Sequence, residues 1–151
     1  MTEVWSLSYQ RFGELQAVSP VGERTIEETL GRLDGAATSF CGLTNVPDHC
    51  WLVCRGDPDR HIIEYVSGPL ANVGYTGTVG SRIFFLARKT PPDRRAVRIR
   101  WQSNPDVFVD ARADSVLSLR EATAIFTTFF NSKTIHQDFT TIPKPLNGYL
   151  A

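Results

Sequence analysis

The feature that most constrains this chain is a long stretch, residues 38–112, in which apolar residues follow the two-residue period of strands and no helical period occurs. Its clearest strand has Val97, Ile99 and Trp101 on one side and polar residues between them. Other apolar runs bounded by turn residues are predicted strands at 5–9, 15–18, 50–54, 62–66, 83–86 and 139–142. Such a chain is expected to build an extended antiparallel sheet.

Two helices are predicted on either side of this stretch. Thr25 with Glu28, and Ser118 with Glu121, have the spacing of a capping box, in which each side chain binds a free amide at a helix start. Apolar residues then recur every three or four positions, most clearly in the second helix. The predicted helices are residues 25–34 and 118–131.

These elements predict an α+β fold with a single domain. We expect an antiparallel sheet of about six to eight strands packed against the two helices. The 151 residues are close to the usual size of one domain, and 42% hydrophobic residues are ordinary for a globular fold. The domain is expected to span residues 1–142, with a loose C-terminal tail at 143–151 because prolines and a glycine interrupt that segment.

The sequence favours a cytoplasmic protein with no membrane segment. Three cysteines are an odd number, which suits a reducing compartment better than a disulfide framework. The N-terminus lacks the basic start and apolar run of a signal peptide. The longest apolar run, 83–87, is far shorter than the roughly 20 residues of a membrane helix.

No metal, cofactor or catalytic residue is predicted. His49, Cys50 and Cys54 lie close together in sequence, but both cysteines fall in an apolar strand rather than on turns that could surround an ion. No serine lies in a Gly-x-Ser-x-Gly motif. A small enzyme is therefore the least favoured alternative, and it would require a deep pocket lined by His49, Cys50 or His61.

The charge distribution supports a second alternative. The net charge is zero, yet residues 82–100 are strongly basic. Arg98 and Arg100 share the polar side of one predicted strand, and Arg82 lies nearby in sequence. Such a face could contact a nucleic-acid backbone. The pI of about 6.8 is low for that role, so a solvated strand face is the preferred interpretation.

The second helix and the strand after it resemble the C-terminal end of a known family. Residues 116–122, followed by Phe126, Phe129 and Phe130 and then a closing strand, are similar to a family of bacterial immunity proteins. These proteins neutralise toxins of polymorphic and contact-dependent systems, which often damage nucleic acids. The resemblance covers roughly residues 25–142.

The resemblance implies a stoichiometric inhibitor without a cofactor. Such a protein would bind its cognate toxin, one to one, and occlude the toxin's active site or substrate groove. A toxin that acts on nucleic acid should have a basic groove, which acidic turns would complement. On turn position and charge we predict a partner-binding surface that contains Asp48, Asp57, Asp59, Asn72 and Tyr75.

Overall fold

The computed structural model describes residues 4–38, 40–48, 50–66, 83–101 and 104–143, and shows an α+β fold. The two helices are α1 (Glu23–Gly31) and α2 (Leu119–Ser132). The strands are β1 (Trp5–Arg11), β2 (Glu14–Val18), β3 (Phe40–Asn45), β4 (Cys50–Gly56), β5 (His61–Val66), β6 (Ile83–Arg88), β7 (Ala96–Trp101), β8 (Asn104–Arg112) and β9 (Phe139–Pro143).

The predicted antiparallel sheet of six to eight strands packed against two helices is confirmed, and the structure adds a second sheet of two strands. Seven strands pair antiparallel in the order β2-β1-β3-β4-β5-β6-β9, and β7 and β8 form a separate hairpin. The hairpin separates from the sheet because its apolar side packs onto the sheet's face and does not pair with an edge. Sequence alternation reports which side of a strand is buried, and it does not report which sheet the strand joins.

The main core lies between the sheet and the two helices. Phe126 and Phe129 of α2 are fully buried against strand residues such as Leu7, Leu43 and Leu52. Each buried phenylalanine contributes about 1.5–3 kcal/mol of transfer free energy, so α2 is the main apolar cover of the sheet. We call the side of the sheet under α1 and α2 the helix face.

A smaller core lies on the other side of the sheet. Ile99 and Val109 of the β7–β8 hairpin pack against Ile62, Phe85 and Ile142, which belong to β5, β6 and β9. The hairpin therefore covers the β5-β6-β9 part of this side. On this side of the sheet, the hairpin does not cover the half that consists of β2, β1, β3 and β4.

The second predicted helix is confirmed to within one residue at each end. Ser118 is the N-cap, its Oγ accepts a hydrogen bond from the amide of Glu121 (3.1 Å), and the Glu121 carboxylate accepts one from the amide of Ser118 (3.0 Å). After Ser132 the chain turns at Lys133, which has a left-handed φ of 57°.

The first predicted helix is displaced. It begins at Glu23 because Gly22 is the N-cap, and Thr25 lies in the first turn, where its hydroxyl accepts a hydrogen bond from the Gly22 amide (2.9 Å). The helix ends at Gly31, whereas Gly35, with φ of 76°, lies in the connection to β3. The capping spacing therefore located the helix, but it assigned Thr25 the wrong position in it.

Two strand predictions are corrected. β3 was not predicted, because Phe40, Cys41 and Leu43 do not alternate with polar residues and Gly42 and Asn45 weaken the apolar pattern further. Residues 104–106 were expected to break the chain after β7, but they belong to β8, which pairs with β7 across an irregular register. Of the predicted tail, residue 143 ends β9 and residues 144–151 lie outside the described part.

One ion pair joins the sheet to α2. The Arg88 guanidinium donates to both carboxylate oxygens of Glu121 at 2.6 Å and also to the carbonyl of Val116 at 2.9 Å. Both side chains are about a quarter exposed. Burial raises the pKa of Glu121, but the hydrogen bonds from Arg88 and the Ser118 amide outweigh it, so that the pKa lies below the usual 4.5.

We expect Glu121→Gln to lower the free energy of unfolding by about 2 kcal/mol at pH 7, because Arg88 would lose its charged partner while the capping geometry is retained. Since the folded-state pKa of Glu121 is depressed, its contribution is present above the ordinary glutamate pKa and is lost as the pH falls through the folded value. Urea unfolding at several pH values should therefore show a difference that shrinks on acidification. Glu28→Gln, which breaks the exposed pair with Arg24, is the control and should cost less than about 0.5 kcal/mol.

Candidate partner-binding surface

The part of the sheet that the hairpin leaves uncovered forms a mixed apolar and polar surface, which we call the open face. Register places its side chains on the side away from the helices, because they alternate with the buried residues of the same strands. The open face consists of Leu15 and Ala17 on β2, Ser6, Ser8 and Gln10 on β1, Phe40, Gly42 and Thr44 on β3, and Trp51, Val53 and Arg55 on β4.

Burial distinguishes the open face sharply from the helix face. Cys41 and Leu43 of β3, which point toward the helices, are fully buried, whereas Phe40, Gly42 and Thr44 between them are half-buried. The same alternation runs along β4. A sheet normally buries at least one face, so the closed helix face stabilises the fold, while the open face is only half-buried in the described part of the chain.

The open face carries the side chains that most often anchor protein interfaces. Trp51 and Phe40 supply aromatic area, and the Arg55 guanidinium lies 5.8 Å from the Phe40 ring centroid. Tryptophan and arginine, together with other aromatic residues, are enriched among interface hot spots. These residues were not predicted as a binding surface. The alternation in β3 and β4 was the signal that could have located them.

Acidic turns lie at one end of the open face. The β4–β5 turn contains Asp57 and Asp59, and the α1–β3 connection contains Asp34. Gly35 lies directly against Asp57, where a Cβ at position 35 would approach the Asp57 Cβ to 2.9 Å. The two predicted carboxylates are thus joined by a third that the sequence analysis did not include.

Asp34 and Asp57 are held in defined positions by hydrogen bonds, and the pKa of each lies below its ordinary value. The Asp34 pKa is lowered by hydrogen bonds from the amides of Thr38 and Ala36. Burial raises the pKa of Asp57, but hydrogen bonds from Arg60 and from the amides of Asp59 and Arg60 lower it overall. Since Arg60 neutralises Asp57, the free negative charge at this end comes mainly from Asp34 and Asp59.

Asp48 lies at the opposite end of β4, in the β3–β4 turn. Its carboxylate contacts Nζ of Lys133 at 3.3 Å, which draws it toward the end of α2. The strand β4, which is about 20 Å long at about 3.3 Å per residue, separates the turn of Asp48 from the turn of Asp57. The structure therefore places them at two ends of one face and not in one cluster. Of the other predicted residues, Asn72, Tyr75 and Arg82 lie outside the described part of the chain.

Three cations of the basic segment, Arg88, Arg95 and Arg98, are paired with carboxylates within the fold. Arg98 and Arg100 are on the exposed side of β7 as predicted, but Arg98 forms two parallel hydrogen bonds with Asp110 of β8, at 2.8 and 3.0 Å. Arg88 is bound to Glu121. Arg95 is bound to Asp93. Glu121 and Asp110, which lie outside the basic segment in sequence, thus reduce the positive field that its composition suggested.

The residues named for the enzyme alternative do not share a pocket in the described structure. A groove of about 510 Å³ lies between α2 and the ends of β6 and β9, and a neighbouring one of about 700 Å³ extends toward α1; neither is lined by Cys50 or His61. His61 is 1% exposed, and burial lowers its pKa, so it is held neutral. His49 lies outside the described residues.

Within the described residues, no three or more histidine, cysteine or acidic side chains converge in a way that could bind a metal ion. No helix there combines the length and apolarity that crossing a membrane requires. Comparison of the chain with known protein families and with curated proteins finds no match.

The β1–β2 turn beside the open face has an unusual residue. Phe12 and Gly13 have φ of 50° and 81°, the pattern of a two-residue type I′ turn, in which Asn-Gly is preferred. Phe12 is nevertheless 76% exposed, with the Arg11 guanidinium 5.6 Å from its ring centroid. A bulky residue in the left-handed region costs about 1–2 kcal/mol, and this side chain recovers little of that by burial.

We expect Phe12→Asn to stabilise the fold by about 0.5–1 kcal/mol, since asparagine tolerates the left-handed conformation and little buried area is lost. Urea unfolding would measure this gain. Gly13→Ala is the matched change in the same turn, and it should destabilise by about 1 kcal/mol because its φ is also positive. A loss of stability for Phe12→Asn would mean that the phenylalanine ring contributes to the fold more than its exposure indicates.

Proposed function

We propose that this protein is an immunity protein that binds a cognate bacterial toxin through the open face and occludes the toxin's active site or substrate groove. The observation that carries the proposal is the half-buried aromatic surface around Phe40 and Trp51, which the β7–β8 hairpin leaves uncovered. The resemblance of residues 25–142 to the immunity family supplies the class of partner. Inhibition by occlusion requires no catalytic residue and no cofactor.

The size of the open face supports an interface that reaches the acidic turns. Four strands spaced about 4.8 Å apart and about 20 Å long give a flat area of roughly 400 Å². A stable interface buries about 800 Å² on each partner. A toxin seated on the open face would therefore also cover the turns at its ends, including Asp34 and Asp59. Their charge would complement a basic substrate groove.

A nucleic-acid-binding module is the second candidate function, and the ion pairs of the basic segment argue against it. A phosphate would have to compete with the two hydrogen bonds that Asp110 makes to Arg98. The aromatic side chains that could stack on bases, Phe40 and Trp51, lie on β3 and β4 of the large sheet and not on the hairpin that carries the basic strand. If this candidate were correct, binding of an oligonucleotide should weaken steeply with salt.

The test is co-expression with the product of the adjacent gene, scored by host survival and by co-purification. Thr44→Lys places a charge in the middle of the open face, and we expect it to weaken the complex roughly 30-fold, since an unpaired charge in an interface costs at least about 2 kcal/mol. Thr127→Lys is the matched control, because Thr127 is equally half-buried but lies on α2.

Three outcomes are informative. Rescue by the wild type and by Thr127→Lys, with loss of rescue by Thr44→Lys, supports both the function and the surface. Rescue by all three proteins would place the interface elsewhere and leave the function standing. A neighbouring product that is harmless, or that kills and never co-purifies with this protein, would reject the immunity function itself.

A further inference from the structure

Among the described strands, the outer strand β2 has backbone groups at one edge of the sheet that no other strand pairs with. It pairs with β1 on one side and ends the seven-strand order. Because the turn has two residues, Arg11 and Glu14 directly opposite each other exchange both backbone hydrogen bonds. Alternation then leaves the N–H and C=O groups of Leu15 and Ala17 pointing away from β1. These four groups form the pairing edge of β2.

The side chains along this edge do not protect it. Natural edge strands are commonly blocked by lysine, proline or a bulge, and residues 14–18 contain none of these. Leu15 is 67% exposed and the neighbouring Phe12 is 76% exposed, the two highest values among the large hydrophobic side chains of the described residues. The edge therefore combines free backbone groups with apolar area, the combination that promotes strand pairing.

We propose that β2 pairs antiparallel with β2 of a second copy of this chain, about a two-fold axis at Gln16. In this register Leu15 lies opposite Ala17 of the second copy, so that their outward groups form four hydrogen bonds, two for each symmetric pair. Glu14 lies opposite Val18, which avoids a pair of like charges. The strand is thus complementary to itself in hydrogen bonding, in apolar contact and in charge, as an isologous interface requires.

The same register extends to the two ends of the strand. Phe12 of one copy is directed toward the position of Pro20 of the other, and both residues are exposed in the single chain. The two-fold axis is perpendicular to the sheet, so that the helices of both copies lie on one side and both open faces lie on the other. Dimerisation would join two seven-strand sheets and cover each open face only at its β2 margin, around Leu15 and Ala17.

The proposal is tested by light scattering coupled to size-exclusion chromatography, over a hundredfold range of concentration and without any partner. We expect the wild type to be a dimer that dissociates on dilution. Ala17→Pro removes an outward N–H while the hydrogen bonds to β1 remain, because the Ala17 amide does not face β1. Losing two of the four hydrogen bonds should weaken the dimer roughly 30-fold. Ala17→Thr keeps the N–H and should remain dimeric.

Cross-linking tests the register. Gln16→Cys brings two thiols to the axis, and mild oxidation should give a covalent dimer above the background of the native cysteines. Glu14→Cys is the control, since its two copies would be about 13 Å apart along the strands, too far for a disulfide. Circular dichroism and thermal unfolding would establish that each variant folds.

A monomeric wild type at the highest concentration would overturn the proposal, as would a dimer that Ala17→Pro leaves unchanged. If the wild type is monomeric and Ala17→Pro abolishes the toxin complex, the pairing edge binds a strand of the toxin. This result would also contradict pairing with a second copy.

Discussion

The packing of α2 onto one side of the sheet is the constraint on which the rest of the structure depends. Phe126 and Phe129 lie over the centre of the sheet, and each adds about 1.5–3 kcal/mol of apolar burial. Because strand side chains alternate, covering one side assigns every second residue of β1, β3 and β4 to the core. The residues between them form the other side. The open face is therefore a direct consequence of where α2 packs.

The second constraint is that the β7–β8 hairpin covers only part of that other side. Its apolar residues find partners on β5, β6 and β9, where Ile62, Phe85 and Ile142 are available. On β1 and β3 most of the corresponding positions are held by small or polar residues such as Ser8, Gly42 and Thr44, which add little apolar area for a second core. This sequence difference explains why the hairpin packs on one half of the sheet.

Charged groups of the described residues fall into two sets, those paired with an opposite charge from another element and those held in turns. Arg88 and Arg98 are each held by two parallel hydrogen bonds to a carboxylate from another element, and these pairs fix the relative positions of strands and helix. Asp34 and Asp59 lie in turns and are not bound by an arginine in the described structure. The sequence shows where charged residues lie, but it does not show which of them form ion pairs within the fold.

The predictions succeeded where the determining interactions are local in the chain. The capping box of α2 is made by Ser118 and Glu121, three residues apart, and the alternation of β7 is visible within six residues. The predictions failed where a residue distant in sequence determines the local structure. β3 has a weak pattern of its own and is held by β1 and β4 on its two sides, and residues 104–106 are extended because β7 pairs with them.

The sequence by itself determined the α+β class, both helices to within a few residues, most of the strands and the acidic turns at Asp57 and Asp59, since propensity, capping and period act over a few residues. Only the tertiary structure decided which strands share a sheet, which side of β4 stays open and that Asp110 neutralises Arg98. Those features depend on contacts between residues far apart in the chain. The free energy of these contacts comes from pairs of residues distant in sequence, so no local sequence pattern predicts them.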